Sequence, residues 1–286
     1  MLSPDESMDR LLCRLRPKRA SHKGQNGVVL IIGGSKTYHG APVLAARAAI
    51  RFCDLVYFFS TPENQSVIKK MKISTANVIC VPKSRFSFAL AHATCVLVGN
   101  GMDVNAATRL MVARVLKSNK RCVIDAAALR VLPLKLLHKG VILTPHAREF
   151  EAAFGVKASE ENAKRMAEKY GCTILLKGEK DVVASGCRLV KVKGGNAGMT
   201  KGGTGDVLAG LCTALFSICD NPLRVAYTAS RLNKRAGELL FRHYKYNFSS
   251  EDLADELAYA ALFLQGKKGS LFAPRPTCRR CDKWST

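Results

Sequence analysis

Acid is scarce in this chain. Its 286 residues include 22 Asp and Glu against 45 Lys and Arg, a formal net charge of +23. Such an imbalance favours anionic partners, whether nucleic acid, a charged membrane surface or phosphorylated small molecules, and does not choose among them. A continuous basic stripe with interleaved aromatics is also missing, so a dedicated nucleic-acid partner is not expected. No apolar run approaches the roughly twenty residues needed to span a bilayer, which excludes a membrane-spanning helix. The opening residues, MLSPDESMDRLLCRLRPKR, lack the apolar segment of a secretory signal. Eleven cysteines, an odd number set singly among apolar neighbours, argue against a disulfide framework and for reduced thiols in a soluble, cytoplasmic protein. Cys278 and Cys281 lack the second pair that a zinc site needs, and no protein-held metal site is expected.

Two nucleotide-binding signatures are absent as well. In GGSKT (33–37) Ser35 separates glycine from lysine and breaks the P-loop spacing, and no Gly-x-Gly-x-x-Gly follows the first strand-like run. What is present is alternation. GVVLIIGG (27–34), LVYFFS (55–60), CVLVGN (95–100), RCVIDA (121–126), VILTP (141–145) and CTILLKG (172–178) read as buried strands. Helical stretches separate them, such as the alanine-rich APVLAARAAIRFC (41–53), one from Pro62, and VNAATRLMVARVLKS (104–118). Short strands between helices predict a three-layer α/β/α domain with a mainly parallel central sheet. After residue 204 three helices follow in a row. The division expected is an N-terminal extension (1–20), one domain (21–266) and a loose, basic, cysteine-containing tail (267–286).

Parallel sheets bind ligands outside the carboxyl ends of their strands. Those ends here carry GGS (33–35), TPEN (61–64), GNG (99–101), DAAAL (125–129), TPHARE (144–149) and KGEKD (177–181), a concentration of glycine, threonine, asparagine, histidine and acid that predicts a polar cleft. The most telling stretch is NAGMTKGGTGDVLAGLCTALF (196–216), where four glycines lie between Gly198 and Gly205 and Asp206 follows at once. Glycines let backbone approach a ligand closely, and a helix's first turn offers unpaired N–H groups to phosphate oxygens. Asp206 could then take a proton from a hydroxyl attacking a phosphoryl group. Equally, Thr204 could cap the helix while Asp206 merely complements its dipole.

NAGMTKGGTGDVLAG resembles the signature of the ADP/ATP-dependent NAD(P)H-hydrate dehydratases, a branch of the ribokinase-like superfamily. SHKGQNGVVLIIGGSKTYHGAPVLAA (21–46) is similar to that family's N-terminal signature and LTPHAREFE (143–151) to its middle one; LLKG (175–178) and SSEDLADEL (249–257) fall in the corresponding places. The resemblance implies a ribokinase-like fold and a repair enzyme. It would return the S-epimer of hydrated NADH or NADPH to the working coenzyme, with ADP or ATP as co-substrate and Mg2+ present. Phosphorylation of the hydrate hydroxyl would be followed by loss of phosphate. Carried over by motif, Asp206 is the catalytic base. Ala41, Gly101, His146 and Asp206 would touch the hydrate. Lys177, Gly178, Glu179, Lys180, Asp181, Asn196, Gly202, Gly203, Thr204 and Gly205 would border the adenine nucleotide. Asn196 either orients a ligand or braces the glycine loop, and Asp125 either reaches magnesium through water or shapes a turn. The resemblance also implies a homo-oligomer and a separate epimerase. This sequence departs from the pattern at Ala127, where DADAL has an acid, at Ala147 and Arg148, where proline and glycine are usual, and at Asp103, where a glycine is usual. Two rival readings share the fold: a small-molecule kinase for a thiazole or pyrimidine precursor, and a nucleic-acid-binding protein that has kept the architecture.

Overall fold

A computed structural model describes residues 11–12, 19–70 and 77–265. Most of the expected N-terminal extension, and the tail with Cys278 and Cys281, lie outside the described residues. One nine-stranded sheet organises the rest, in the order β3-β2-β1-β4-β5-β6-β7-β8-β9. Its parallel members are β1 (Val28–Ile32), β2 (Leu55–Phe59), β3 (Val78–Cys80), β4 (Cys95–Val98), β5 (Arg121–Ile124), β6 (Val141–Leu143) and β7 (Thr173–Leu176). The hairpin β8 (Asp181–Ser185) and β9 (Arg188–Val192) adds two antiparallel strands at one edge.

The crossovers carry α1 (Gly40–Ala49), α2 (Pro62–Lys70), α3 (Phe86–His92), α4 (Ala106–Lys117), α5 (Ala127–Arg130), α6 (Ala147–Phe154) and α7 (Glu160–Tyr170). Three helices follow the sheet: α8 (Thr204–Ile218), α9 (Pro222–Tyr244) and α10 (Ser250–Gln265). All six strands and the three final helices expected from the sequence are present.

Side chains alternate across the sheet, so each strand feeds two cores. Val29, Ile31, Leu97, Val123 and Ile142 pack with Ala45 of α1, Leu211 of α8, Leu232 of α9 and Leu257 of α10. Leu30, Ile32, Val96, Ile124 and Leu143 pack on the other face with Val112 and Val115 of α4 and Ala163 of α7. Each fully buried side chain of this size contributes roughly 1.5–3 kcal/mol, which is why strands covered on both faces read as unbroken apolar runs.

Strand order reverses between β1 and β4, where the chain leaves in opposite directions on either side. The crevice there is closed by backbone: Gly34 N–H donates to the Asn100 carbonyl at 2.8 Å, joining the turn after β1 to the turn after β4. Helix α8 is buried nearly all round, as its apolar composition requires. Midway along it Gly210 abuts α1, and a Cβ there would collide with the Ala45 carbonyl. That close crossing brings the first turn of α8 beside the start of α1, and so places Asp206 at the switch point.

Candidate active site

The glycine loop ends on Gly203, whose φ of +93° is open to glycine and strained for any L side chain. A Cβ at Gly203 would also press on Leu44 and Ser250. Gly203, with no side chain to offer, is the N-cap of α8. Thr204 is not the cap: its hydroxyl donates backwards to the carbonyls of Met199 (2.7 Å) and Lys201 (3.0 Å), tying the loop to itself. The N–H groups of the first turn are left for an anion by the ordinary geometry of a helix start. Lys201 secures the loop from outside, donating to the carbonyls of Tyr246 (2.6 Å) and Phe248 (2.7 Å).

Asp206 stands in that first turn. Its Oδ1 accepts a 2.6 Å hydrogen bond from Asn100 Nδ2, and the same amide nitrogen donates to Asp125 Oδ2 at 2.9 Å. Asp125 also accepts at Oδ1 from Thr144 Oγ1 and from Lys177 Nζ, both at 2.9 Å. Lys177 Nζ lies 3.6 Å from Glu149 Oε2. Six groups, from the ends of β4, β5, β6 and β7 and from two helices, thus form one polar chain along the carboxyl edge. Burial, with Asp125 adding to it, pushes the Asp206 carboxyl up to about 6 against the hydrogen bond from Asn100 and the charge of Lys177. Burial works against the Lys177 ammonium, but Asp125 and Glu149 outweigh it and hold its pKa above the ordinary lysine value. Lys177 is therefore a fixed cation, while Asp206 is a carboxylate able to take a proton near neutral pH.

The residues named from sequence fall into three groups. Ala41 and Gly101 meet: a Cβ on Gly101 would lie 3.3 Å from that of Ala41, with Tyr38 on its other side. Gly101 directly follows Asn100, whose side chain reaches Asp206. Lys177 and Gly205 also meet, a Cβ on Gly205 falling 3.4 Å from the Lys177 ammonium. Gly178, Glu179, Lys180 and Gly202 are exposed around them.

His146 caps α6 in a reciprocal box. Its Nδ1 accepts from Glu149 N–H at 3.2 Å and its own N–H donates to Glu149 Oε2 at 2.9 Å, while the ring stays half exposed and the backbone pairs with that of Lys177. Asn196 uses both ends of its amide inside the protein, accepting from Gly198 N–H (2.9 Å) and donating to the Gly237 carbonyl (2.8 Å). It braces the glycine loop. Asp181 turns inward, accepting from Gly178 N–H (2.9 Å) and Ser230 Oγ (2.7 Å), 3.4 Å from the Lys234 ammonium. It shapes the turn that carries Lys177.

Sequence reading passed over Asn100, Thr144 and Glu149. The signal for Glu149 was there, an acid three residues after a capping polar residue. Asn100 stood in the GNG turn at a strand exit, but nothing local tied it to Asp206, 106 positions away.

The opposite edge of the sheet is different. A cavity of about 800 Å3 opens where β5, β6 and β7 begin, lined in part by Arg121, His138, Lys139, Phe216 and Asp220. Arg121 there donates to the Ser217 carbonyl at 3.1 Å and stacks over Phe216. Among the described residues that line it, no ion pair joins an acid to a base as at the carboxyl edge.

Magnesium fits this carboxyl edge only indirectly. The oxygens of Asp125 are already taken by Asn100, Thr144 and Lys177, and among the described residues no group of three or more His, Cys, Asp or Glu is placed to hold a metal. Such a site suits an ion that arrives with nucleotide phosphates and keeps its waters. Among the described residues no two cysteines are joined in a disulfide, and burial pushes the Cys122 and Cys172 thiols up to about 12. Among the described residues no helix is long and apolar enough to cross a membrane.

Known proteins agree with this architecture. The Bacillus subtilis ADP/ATP-dependent NAD(P)H-hydrate dehydratase, crystallised with ATP and Mg2+, superposes with a TM-score of 0.79 at 24% identity, covering 90% of this chain and 97% of that one. A ribokinase-like protein of Enterococcus faecalis gives 0.82 at 22% identity over 92% and 96%. Both likenesses concern the fold. The ADP-dependent (S)-NAD(P)H-hydrate dehydratase of Nitrosopumilus maritimus is 34% identical over 84% of this chain and 90% of its own length. A bifunctional NAD(P)H-hydrate repair enzyme of Methanocaldococcus jannaschii is 38% identical over 83% of this chain, which spans 48% of that longer protein. With the NAD(P)H-hydrate dehydratase family model matching residues 29–258 as well, the chain belongs to the NAD(P)H-hydrate dehydratase family.

Proposed function

We propose that this protein is an ADP- or ATP-dependent (S)-NAD(P)H-hydrate dehydratase, returning hydrated NADH and NADPH to their working forms. The observation that carries the reading is the meeting of Asp206, the glycine loop and Lys177 at the switch point of the sheet. Hydroxide is a poor leaving group, so simple loss of water from the hydrate is slow. Phosphorylation converts it to a good one. The hydrate lies between Ala41, Gly101 and Asp206, with its hydroxyl toward the free carboxylate oxygen. Asp206 takes the hydroxyl proton as that oxygen attacks the terminal phosphorus of the nucleotide. The first-turn amides of α8 at Gly205 and Asp206, with Lys177 beside them, hold the charge on the moving phosphoryl. The C–O bond then breaks, phosphate departs with the oxygen, and the ring releases one proton as the double bond returns. ADP leaves as AMP, or ATP as ADP.

Magnesium belongs to this proposal as the ion that would arrive with the nucleotide, keep its waters and neutralise the phosphates. The high positive charge serves two ligands that each carry several phosphates. Conversion of the other hydrate epimer would come from a separate epimerase. A homo-oligomer in the cytoplasm completes the proposal.

The test mixes the protein with chemically hydrated NADPH, Mg2+ and ADP or ATP and follows dihydronicotinamide absorbance. Its return with one of the nucleotides is expected. No return with either overturns the reading.

A further inference from the structure

Asn100 is fully buried in the turn after β4, and its carbonyl is held by Gly34 N–H at 2.8 Å, so the residue has one place to be. Its side-chain nitrogen points between two carboxylates, 2.6 Å from Asp206 Oδ1 and 2.9 Å from Asp125 Oδ2. The other end of the same amide, Oδ1, is buried with no hydrogen-bond partner. An orphaned buried carbonyl is costly, and natural structures tolerate few. Turning the amide over would not relieve it, because Oδ1 would then face two carboxylates. The arrangement gives up one acceptor in order to spend both N–H groups on the two acids.

Two carboxylates left without such a donor settle by sharing a proton. The charged groups facing Asp206 are Asp125 after β5, Glu149 on α6 and Lys177 after β7. Lys177 is hydrogen-bonded to the far oxygen of Asp125, so it cannot separate Asp125 from Asp206.

Resting on the dehydratase reading above, we propose that Asn100 is a positioning residue: by donating one N–H to each acid it keeps Asp206 from sharing a proton with Asp125 and holds its second oxygen toward the substrate hydroxyl. Asn100 itself does not touch the reacting atoms. Asparagine is the apt residue. Its two N–H groups diverge from one nitrogen, whereas a serine has one proton to give and an aspartate would add a third like charge.

The experiment compares wild type with Asn100→Leu, which keeps the volume and removes both donors. In the variant the acid limb of the kcat/KM profile should move up by about one pH unit, costing about twofold at pH 7, close to tenfold at pH 5 and little at pH 9. KM for the nucleotide should change less than about twofold, since Asn100 meets neither phosphate nor adenine. Asn100→Ser, with one donor, should fall between them and covers the case in which the leucine variant does not fold. Carbon-13 NMR titration of the Asp206 carboxyl without substrate should show the same order. A loss of rate equal at all pH values, with an unmoved Asp206 titration, overturns the proposal. Because that titration needs no turnover, a wild type that fails to restore hydrated NADPH would remove the dehydratase reading while the relation of Asn100 to Asp206 is still judged.

Discussion

The two edges of this sheet are made from the same strands and do different things. At the amino edge lies a hollow of about 800 Å3, with Arg121, Lys139 and Asp220 on its walls. Burial pushes the pKa of His138 down there, favouring a neutral ring. At the carboxyl edge polar and charged groups lean on one another, from Asp206 through Asn100, Asp125 and Lys177 to Glu149. What separates the edges is that loops after parallel strands converge at the switch point, and that α8 begins there, aiming its first-turn amides at the crevice.

The contrast can be broken most severely at Asp206. Asp206→Asn should lower kcat by about 10^3-fold with nucleotide binding retained by calorimetry, in the upper range for loss of a general base. The same variant should be more stable. The folded carboxyl titrates near 6 against an unfolded 3.8, so its ionisation weakens the fold as pH rises from about 4 through 6, and below the unfolded value the cost is absent. At pH 7 the neutral amide should gain about 1–3 kcal/mol in denaturant unfolding.

Lys177→Met comes next, leaving Asp125 and Glu149 without their cation. A fall of about 10^2-fold in kcat/KM is expected, with about 3 kcal/mol of stability lost as buried charge goes unpaired. Gly205→Ala should cost about ten- to a hundredfold through displacement of Lys177 and the phosphates, with little change in melting. In the wild type, kcat/KM should fall about tenfold per pH unit below pH 6 as Asp206 takes up its proton. The smallest effect sharpens the comparison from the other side. Lys139→Ala at the amino edge should change kcat/KM less than about twofold and stability by no more than about 0.5 kcal/mol.

Much of this was legible before the structure. Strands covered on both faces need apolar residues at every position, so Val28–Ile32 and Cys95–Val98 announce themselves. Edge strands do not. Val78–Cys80 is three residues long, and Arg188–Val192 mixes charged and apolar residues, so both went unread; the buried Asp181–Ser185, which pairs with Arg188–Val192 in the hairpin, went unread with them. Phe86–His92 is too short for a helical period to show. In the site, Asp206, Lys177 and Gly205 stood out through motif and placement at strand ends. The roles of Thr204, Asn196 and Asp181 depended on where their side chains turn, and all three turn toward their own loops. Asn100 joins residues that only the strand order brings together, and no local pattern announces such a partner.

The central claim is that the hydrate's own hydroxyl oxygen attacks phosphorus and leaves inside phosphate. NADPH hydrate carrying 18O at that hydroxyl, turned over once by the protein with ADP or ATP, tests it directly. Mass spectrometry should find the label in inorganic phosphate, one atom for each NADPH restored. Label in bulk water, with unlabelled phosphate, would contradict the account.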